Sequence, residues 1–166
     1  MRIEHLGHSC LRVSHDGASL LLDPGAFSPH LDQHLAERPL VAVLVTHAHP
    51  DHLDPDLVPL LQHAAGGREV LAEAGAADVV RQAGGEAGLL EVSSTLRLGP
   101  FEVEVVGGHH AVIHPDVPRI GNVGLLLRGG RHLRARRRRP GGAGRHRIGA
   151  PRPAGRCGRG RAAPGG

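Results

Sequence analysis

Three histidines and an aspartate lie within six residues in the segment Val45–His52, which reads VTHAHPDH. Imidazole nitrogens and carboxylate oxygens are the donors that hold zinc and similar metals in proteins. His47 and His49 are two residues apart, and Asp51 and His52 follow directly. A strand that ends here can point several of these donors into one pocket, so the spacing predicts a metal site.

The remaining histidines are weaker evidence for a metal site, because a chain with 14 histidines is expected to contain some that have no such role. We predict that four isolated ones lie at the surface or at the edge of the core, namely His5, His8, His15 and His63. A second concentration follows a predicted hairpin. There, residues 107–118 are predicted to form a loop that contains His109, His110 and His114.

An apolar run, Leu40–Val45, directly precedes the histidine segment. Such a run is typical of a strand buried on both faces. Other strands are predicted within residues 1–23, at Glu69–Ala72, at Thr95–Leu98, at Phe101–Val106 and at Asn122–Leu127. Helices are predicted near Asp32–Glu37, after the N-cap residue Asp54 and at Ala76–Ala83. Strands that alternate with helices indicate an α/β layered domain.

The net charge of +4 is the sum of two unlike parts. Residues 1–127 contain all 16 acidic residues and seven arginines, whereas residues 128–166 contain 13 arginines and no acid. The second part is mostly Arg, Gly, Ala and Pro and is predicted to be a disordered tail. A shifted reading frame of a GC-rich gene gives this composition, so we predict an incomplete domain at 1–127 that is truncated or frame-shifted beyond it.

Several classes of protein are disfavoured by composition. No apolar run approaches the ~20 residues that cross a bilayer, and the N-terminus lacks the order of a signal peptide. Cys10 and Cys157 are too few for a disulfide scaffold. We therefore expect a cytoplasmic protein without a membrane partner, of unknown oligomeric state. Nucleic-acid binding through the arginines is an alternative, and the absence of lysine and the two lone aromatic residues argue against it.

The pattern His-x-His-x-Asp-His after an apolar strand resembles the signature of the metallo-β-lactamase superfamily. The opening IEHLGHSCLRV and the stretch GASLLLDPGAFS also resemble the superfamily's small bacterial hydrolases, including the ascorbate-6-phosphate lactonase-like group. The resemblance covers about residues 1–127. It implies the N-terminal part of an αββα sandwich, with a metal site at one edge of the two sheets.

The resemblance also implies a first metal site. His47 and His49 would hold this metal together with a later histidine from the loop after the hairpin. His110 is the expected third ligand and His109 is the alternative, while His114 would line the mouth of the pocket. The metal would be zinc, with manganese or iron as alternatives.

A second metal would be held by Asp51 and His52. The implied activity is hydrolysis of a small-molecule ester, lactone or phosphodiester by metal-bound hydroxide. Asp51 would orient this hydroxide and transfer its proton. The family also uses a bridging aspartate and a final histidine, yet no acidic residue follows Asp116. We therefore expect weak or no activity, and a non-catalytic protein that binds a single metal is the alternative.

Overall fold

The computed structural model describes residues 1–36, 40–112, 114–116 and 118–130. These residues form nine strands and three α-helices within one compact unit. The strands are β1 (Arg2–Gly7), β2 (Cys10–His15), β3 (Ala18–Leu22), β4 (Leu40–Val45), β5 (Val70–Ala72), β6 (Ala87–Leu89), β7 (Thr95–Leu98), β8 (Phe101–His109) and β9 (Gly121–Gly129). The helices are α1 (Leu31–Ala36), α2 (Val58–Ala64) and α3 (Ala74–Gln82). The predicted tail, apart from its first three residues, lies outside the described residues.

The first sheet contains six strands in the order β1-β2-β3-β4-β5-β6. Strands β1 to β3 are antiparallel, and β3 to β6 are parallel to one another. Asp16 and Gly17 join β2 to β3 with φ values of +46° and +78°, which suit a tight hairpin turn of matching twist. The parallel part places the carboxyl ends of β3, β4 and β5 at the same edge of the sheet.

The second sheet contains three antiparallel strands in the order β7-β8-β9. The β8–β9 ladder runs from the pair Phe101 and Gly129 to the pair His109 and Gly121. Its far end therefore carries the chain to His110, which follows β8 directly. No helix within the described ranges is long and apolar enough to cross a membrane.

Two apolar clusters hold three layers together. One lies between the first sheet and the helices and includes Val43 and Val45 of β4, and the other lies between the two sheets and includes Ala42 and Leu44. Both faces of β4 are thus buried, as its continuous apolar sequence predicted. The α/β prediction is confirmed, because the described residues form a helical layer and the two stacked sheets of a sandwich.

Several boundaries differ from the sequence predictions. The loop predicted from Gly107 onward begins later, because β8 continues through His109 and its pairing with β9 overrides the low strand propensity of glycine. Strand β9 also continues to Gly129, two residues past the predicted end. The chain after Asp54 first forms a short 3₁₀ turn, and α2 begins at Val58, so that Pro59 lies in the first turn, where its missing N–H costs no hydrogen bond.

Strand β6 was not predicted, and two other elements have shifted limits. β6 has three residues, one of them glycine, and so shows no readable alternation. Helix α3 begins two residues earlier than predicted, because the Glu73 side chain accepts hydrogen bonds from the N–H groups of Gly75 and Ala76. β5 is one residue shorter than predicted.

Candidate metal centre

The histidine segment forms a compact loop at the carboxyl end of β4. The N–H groups of His52 and Leu53 both donate to the carbonyl of His49, at 2.9 and 3.0 Å, and fold the loop back on itself. The N–H of Val123 in β9 donates to the carbonyl of Thr46 at 3.0 Å, which ties the second sheet to the loop. The loop therefore lies at the edge where the two sheets meet.

His47, His49 and His110 form a first donor group. One ring nitrogen from each lies within 4.8 Å of the others. His47 Nε2 is 3.1 Å from His49 Nδ1, and the ring of His110 lies 5.0 Å from that of His47 and 4.8 Å from that of His49. Three imidazoles that converge on one point are a common ligand set for zinc.

His110 reaches this group because of the alternation at the end of β8. Its N–H donates to the carbonyl of Ile120 at 3.0 Å, so it continues the ladder one residue past the strand. His110 is half-buried, whereas the preceding His109 is exposed and belongs to neither donor group among the described residues. His114 is also exposed and lies beside Asp116, and within the described ranges it joins neither donor group.

His8, Asp51 and His52 form a second donor group, again with ligand atoms within 4.8 Å. Asp51 Oδ2 lies 2.8 Å from His8 Nε2 and 3.6 Å from His52 Nε2. The two groups are adjacent, because the rings of His47 and His52 are 3.9 Å apart. The structure thus brings together all five residues that the sequence and the resemblance proposed as ligands, and it adds His8.

Asp23 supports one histidine of each group. Its Oδ2 accepts a hydrogen bond from the Thr46 hydroxyl at 2.9 Å and lies 3.0 Å from His52 Nδ1. Because Thr46 Oγ1 gives its only hydrogen to Asp23, it can only accept at the 3.0 Å contact with His47 Nδ1. In the neutral form of each ring these contacts place the proton on Nδ1, which leaves Nε2 free for a metal.

Electrostatics favour a neutral His47 and an ionised Asp51. Burial, followed by the neighbouring charges of His52, His49 and His110, lowers the pKa of His47 to about 4, so its ring keeps a free lone pair at neutral pH. Desolvation raises the pKa of Asp51, but the hydrogen bond from His8 and the charge of His52 outweigh it and lower the pKa overall. Burial raises the pKa of Asp23, against its hydrogen bonds from Thr46 and His52.

The loop after β3 packs backbone against backbone on the histidine segment. A Cβ at Gly25 would overlap the carbonyl carbon of Asp51 and crowd the N–H of His52. The N–H of Ala26 donates to the carbonyl of Pro50 at 2.8 Å. Glycine at position 25 therefore permits the approach that fixes Asp51.

Sequence reasoning missed two residues of this centre. His8 was predicted to be a surface or core-edge residue, and its ring is indeed exposed, but it contacts Asp51. Asp23 was not predicted as a site residue. The sequence does carry a signal for Asp23, since an acidic residue at the carboxyl end of β3 lies beside the carboxyl end of the parallel strand β4.

Comparison with known proteins identifies the family. Residues 2–133 match the beta-lactamase superfamily domain. This chain belongs to the metallo-β-lactamase superfamily, as its histidine motif indicated, and has the fold of that superfamily's metal-dependent hydrolases.

A curated relative is Protein Rv0786c of Mycobacterium tuberculosis. The two sequences are 38% identical over 143 residues, which are 86% of this chain and 64% of that protein. The chain thus spans less than two thirds of the relative's length.

Solved structures share the fold at low sequence identity. A metallo hydrolase from the archaeon Ignicoccus hospitalis has a TM-score of 0.57 and 18% identity, over 76% of this chain and 55% of that one. The isothiocyanate hydrolase from Delia radicum gut bacteria has a TM-score of 0.57 and 16% identity, over 78% and 59%. CmlA, a diiron β-hydroxylase from Streptomyces venezuelae, has a TM-score of 0.57 and 23% identity, over 78% and 27%. These likenesses show the fold alone, since one fold hosts several chemistries.

Proposed function

We propose that this protein is a metal-dependent hydrolase that acts on a small-molecule ester, lactone or phosphodiester. The observation that carries the proposal is the adjacency of the two donor groups, which share the loop after β4 and meet at His47 and His52. Two ions held there would lie side by side, as a dinuclear hydrolase requires.

The donors present fit a divalent metal. Ligands about 2.1 Å from a tetrahedral zinc ion are about 3.4 Å apart, and the 3.1 Å separation of His47 Nε2 and His49 Nδ1 is close to that spacing. Imidazoles and one carboxylate suit zinc best, and manganese or iron are the alternatives. His47, His49 and His110 would hold the first ion, and Asp51 and His52 would contribute to the second.

The chemistry divides between the metal and the protein. A bound divalent ion would make hydroxide available at neutral pH and polarise the bond to be broken. Asp51 is ionised and partly open to solvent, so its carboxylate can orient the attacking water, accept its proton and pass that proton to the leaving group. Asp23 and Thr46 keep the two central histidines in the tautomer that leaves Nε2 available.

We further propose that turnover by this chain is weak. Residues 117–166 contain no aspartate or glutamate, so they supply no carboxylate to bridge two ions. A protein that binds one metal without catalysis is the alternative.

Metal content and hydrolysis, measured on the same preparation, test the proposal. Protein dialysed against zinc is expected to retain about two ions per chain and to hydrolyse slowly one class among aryl esters, lactones and bis-aryl phosphodiesters. Chelation is expected to abolish this turnover and added zinc to restore it. The double variant His47→Ala/His49→Ala is expected to stay inactive with zinc present. His63→Ala on the exposed face of α2 is the matched control. One retained ion without turnover supports the alternative, and the absence of bound metal contradicts both.

A second candidate function is nucleic-acid binding, and the 13 arginines of residues 128–166 are the observation that favours it. Binding to RNA or DNA would then fall steeply with salt and disappear when residues 131–166 are deleted. We favour the hydrolase, because the two adjacent donor groups lie in the described part of the chain. We also propose a cytoplasmic location, since two cysteines are too few for a disulfide scaffold. Cell fractionation tests the location.

A further inference from the structure

The two-residue turn between β1 and β2, formed by His8 and Ser9, holds Asp51 at two points. His8 Nε2 lies 2.8 Å from Asp51 Oδ2, and the Ser9 hydroxyl donates to the Asp51 carbonyl at 2.6 Å. The residues in contact are more than 40 positions apart in sequence. Both the carboxylate and the backbone of Asp51 are therefore fixed by the same turn.

The conformation of His8 is one that its surroundings must maintain. Its φ is +43°, in the left-handed region that few residues other than glycine adopt. The ring of Phe27 packs edge-on against the His8 ring at 5.6 Å, and His5 Nε2 lies 2.6 Å from the His8 carbonyl oxygen. An uncommon backbone conformation held in this way at a candidate site indicates a function for the side chain.

The distances distinguish a hydrogen bond from a pair of metal ligands. Two ligands of one tetrahedral ion are about 3.4 Å apart, and the 3.6 Å between His52 Nε2 and Asp51 Oδ2 matches that spacing. The 2.8 Å between His8 and Asp51 is shorter and equals the length of a charge-assisted hydrogen bond. Since a carboxylate only accepts, His8 Nε2–H is the donor.

We propose that His8 is a positioning residue, which holds the Asp51 carboxylate in the orientation that the second metal requires. This inference rests on the proposed function, because it assumes that Asp51 and His52 bind a metal. It assigns the β1–β2 turn a role that the histidine motif does not reveal. His8 acts through Asp51 and does not itself contact the ion.

A matched pair of variants tests this role. His8→Gln keeps an N–H donor near the position of Nε2, and His8→Met has a similar length but no donor. Both variants carry the same penalty at a left-handed position, so apo melting temperatures measured by circular dichroism are expected to agree with each other. Titration of the metal-free protein with cobalt(II), followed by visible absorption and metal analysis, measures the two ions separately.

We expect His8→Met to bind the second cobalt ion about 10- to 100-fold more weakly, which is the usual cost of losing a partner that orients a ligand. The first ion binds as in the wild type, and His8→Gln restores most of the affinity for the second. Unchanged affinity in His8→Met overturns the proposal. Complete loss of one ion in both variants also overturns it, because His8 is then a ligand. A wild-type protein that binds no ion rejects the proposed function itself.

Discussion

The two donor groups differ in how they are held. His47, at the centre of the first group, is 3% exposed, and its partners His49 and His110 are half-buried. In the second group the side chains of His8, Asp51 and His52 are 49%, 31% and 22% exposed. Burial fixes the central donor of the first group before any ion arrives, whereas the second group depends on a surface turn. Because preorganised ligands lose less entropy on binding, we expect the first group to retain its ion more tightly.

Removal of His47 should have the largest effect. His47→Ala takes away a proposed ligand of the first group and the ring that packs against His52 of the second. We expect zinc affinity of the first group to fall more than about 100-fold, beyond the loss caused by an orienting partner, and hydrolysis to be abolished. Calorimetric titration of the metal-free variant measures the first effect.

His109→Ala is the control for this prediction. His109 is exposed and immediately precedes His110, so its loss should leave both ions and all turnover unchanged. If His109→Ala loses the first ion and His110→Ala retains it, the assignment of the third ligand is wrong.

Asp23→Asn should weaken both groups at once, and so distinguishes a shared support from two independent sites. The amide cannot accept from both Thr46 and His52 with the strength of a carboxylate, and the preferred tautomer of both histidines is lost. We expect each ion to bind about 10- to 100-fold more weakly. Competition with a chromophoric chelator measures this, and weakening of one ion alone would show that the two groups do not share Asp23.

The sequence revealed the donors that lie close together along the chain. His47, His49, Asp51 and His52 occupy one segment after an apolar strand, so local spacing and the buried pattern of β4 were enough to propose them. His110 required the resemblance, because its position depends on where the β8–β9 ladder ends. His109 and His110 are equivalent by composition, and the alternation of the strand separates them.

Contacts between distant segments could not be read in the same way. His8 lies 43 residues from Asp51, and its contact depends on the register of a hairpin and on a left-handed backbone conformation. Asp23 likewise acts across neighbouring parallel strands. In the fold, β4 could be predicted from the sequence because both its faces are apolar. The short β6 could not, because it pairs with β5 through tertiary packing rather than through its own strand propensity.

Gly25→Ala should affect the second group more than the first. The added Cβ meets the backbone of Asp51 and His52, which cannot move aside as a flexible side chain could. Overpacking of this kind costs about 1–3 kcal/mol of unfolding free energy, and displacement of Asp51 should weaken the second ion. Thermal unfolding and cobalt(II) titration measure the two effects.

Gly130→Ala is the matched control, because the atom nearest to its added Cβ, the Pro100 carbonyl oxygen, lies at an ordinary contact distance of 3.5 Å. We expect it to leave stability within about 0.5 kcal/mol of the wild type. An equal loss of both ions in Gly25→Ala would indicate that the loop supports the whole centre rather than Asp51.

The smallest expected effect is that of zinc on the reactivity of the Cys10 thiol. It tests whether the second donor group includes this thiol as a ligand. It follows His8 by two residues, yet its side chain is fully buried in the cluster beneath the helices. Burial raises the pKa of the Cys10 thiol from 9.0 to about 11, against a hydrogen bond with Ser28. At pH 8 its thiolate fraction is then about 100-fold below that of an ordinary thiol.

We therefore expect iodoacetamide to label Cys10 very slowly in the native protein at pH 8, with a rate that rises about tenfold per pH unit below the pKa. Mass spectrometry of the peptide that contains Cys10 isolates this thiol from Cys157, and labelling in urea is the control. Zinc should leave the native rate unchanged, because a thiol that is protonated and buried is not a ligand. Fast labelling that zinc suppresses would show that Cys10 is a ligand of the second group. The two groups would then no longer differ simply as three histidines against two histidines and one carboxylate.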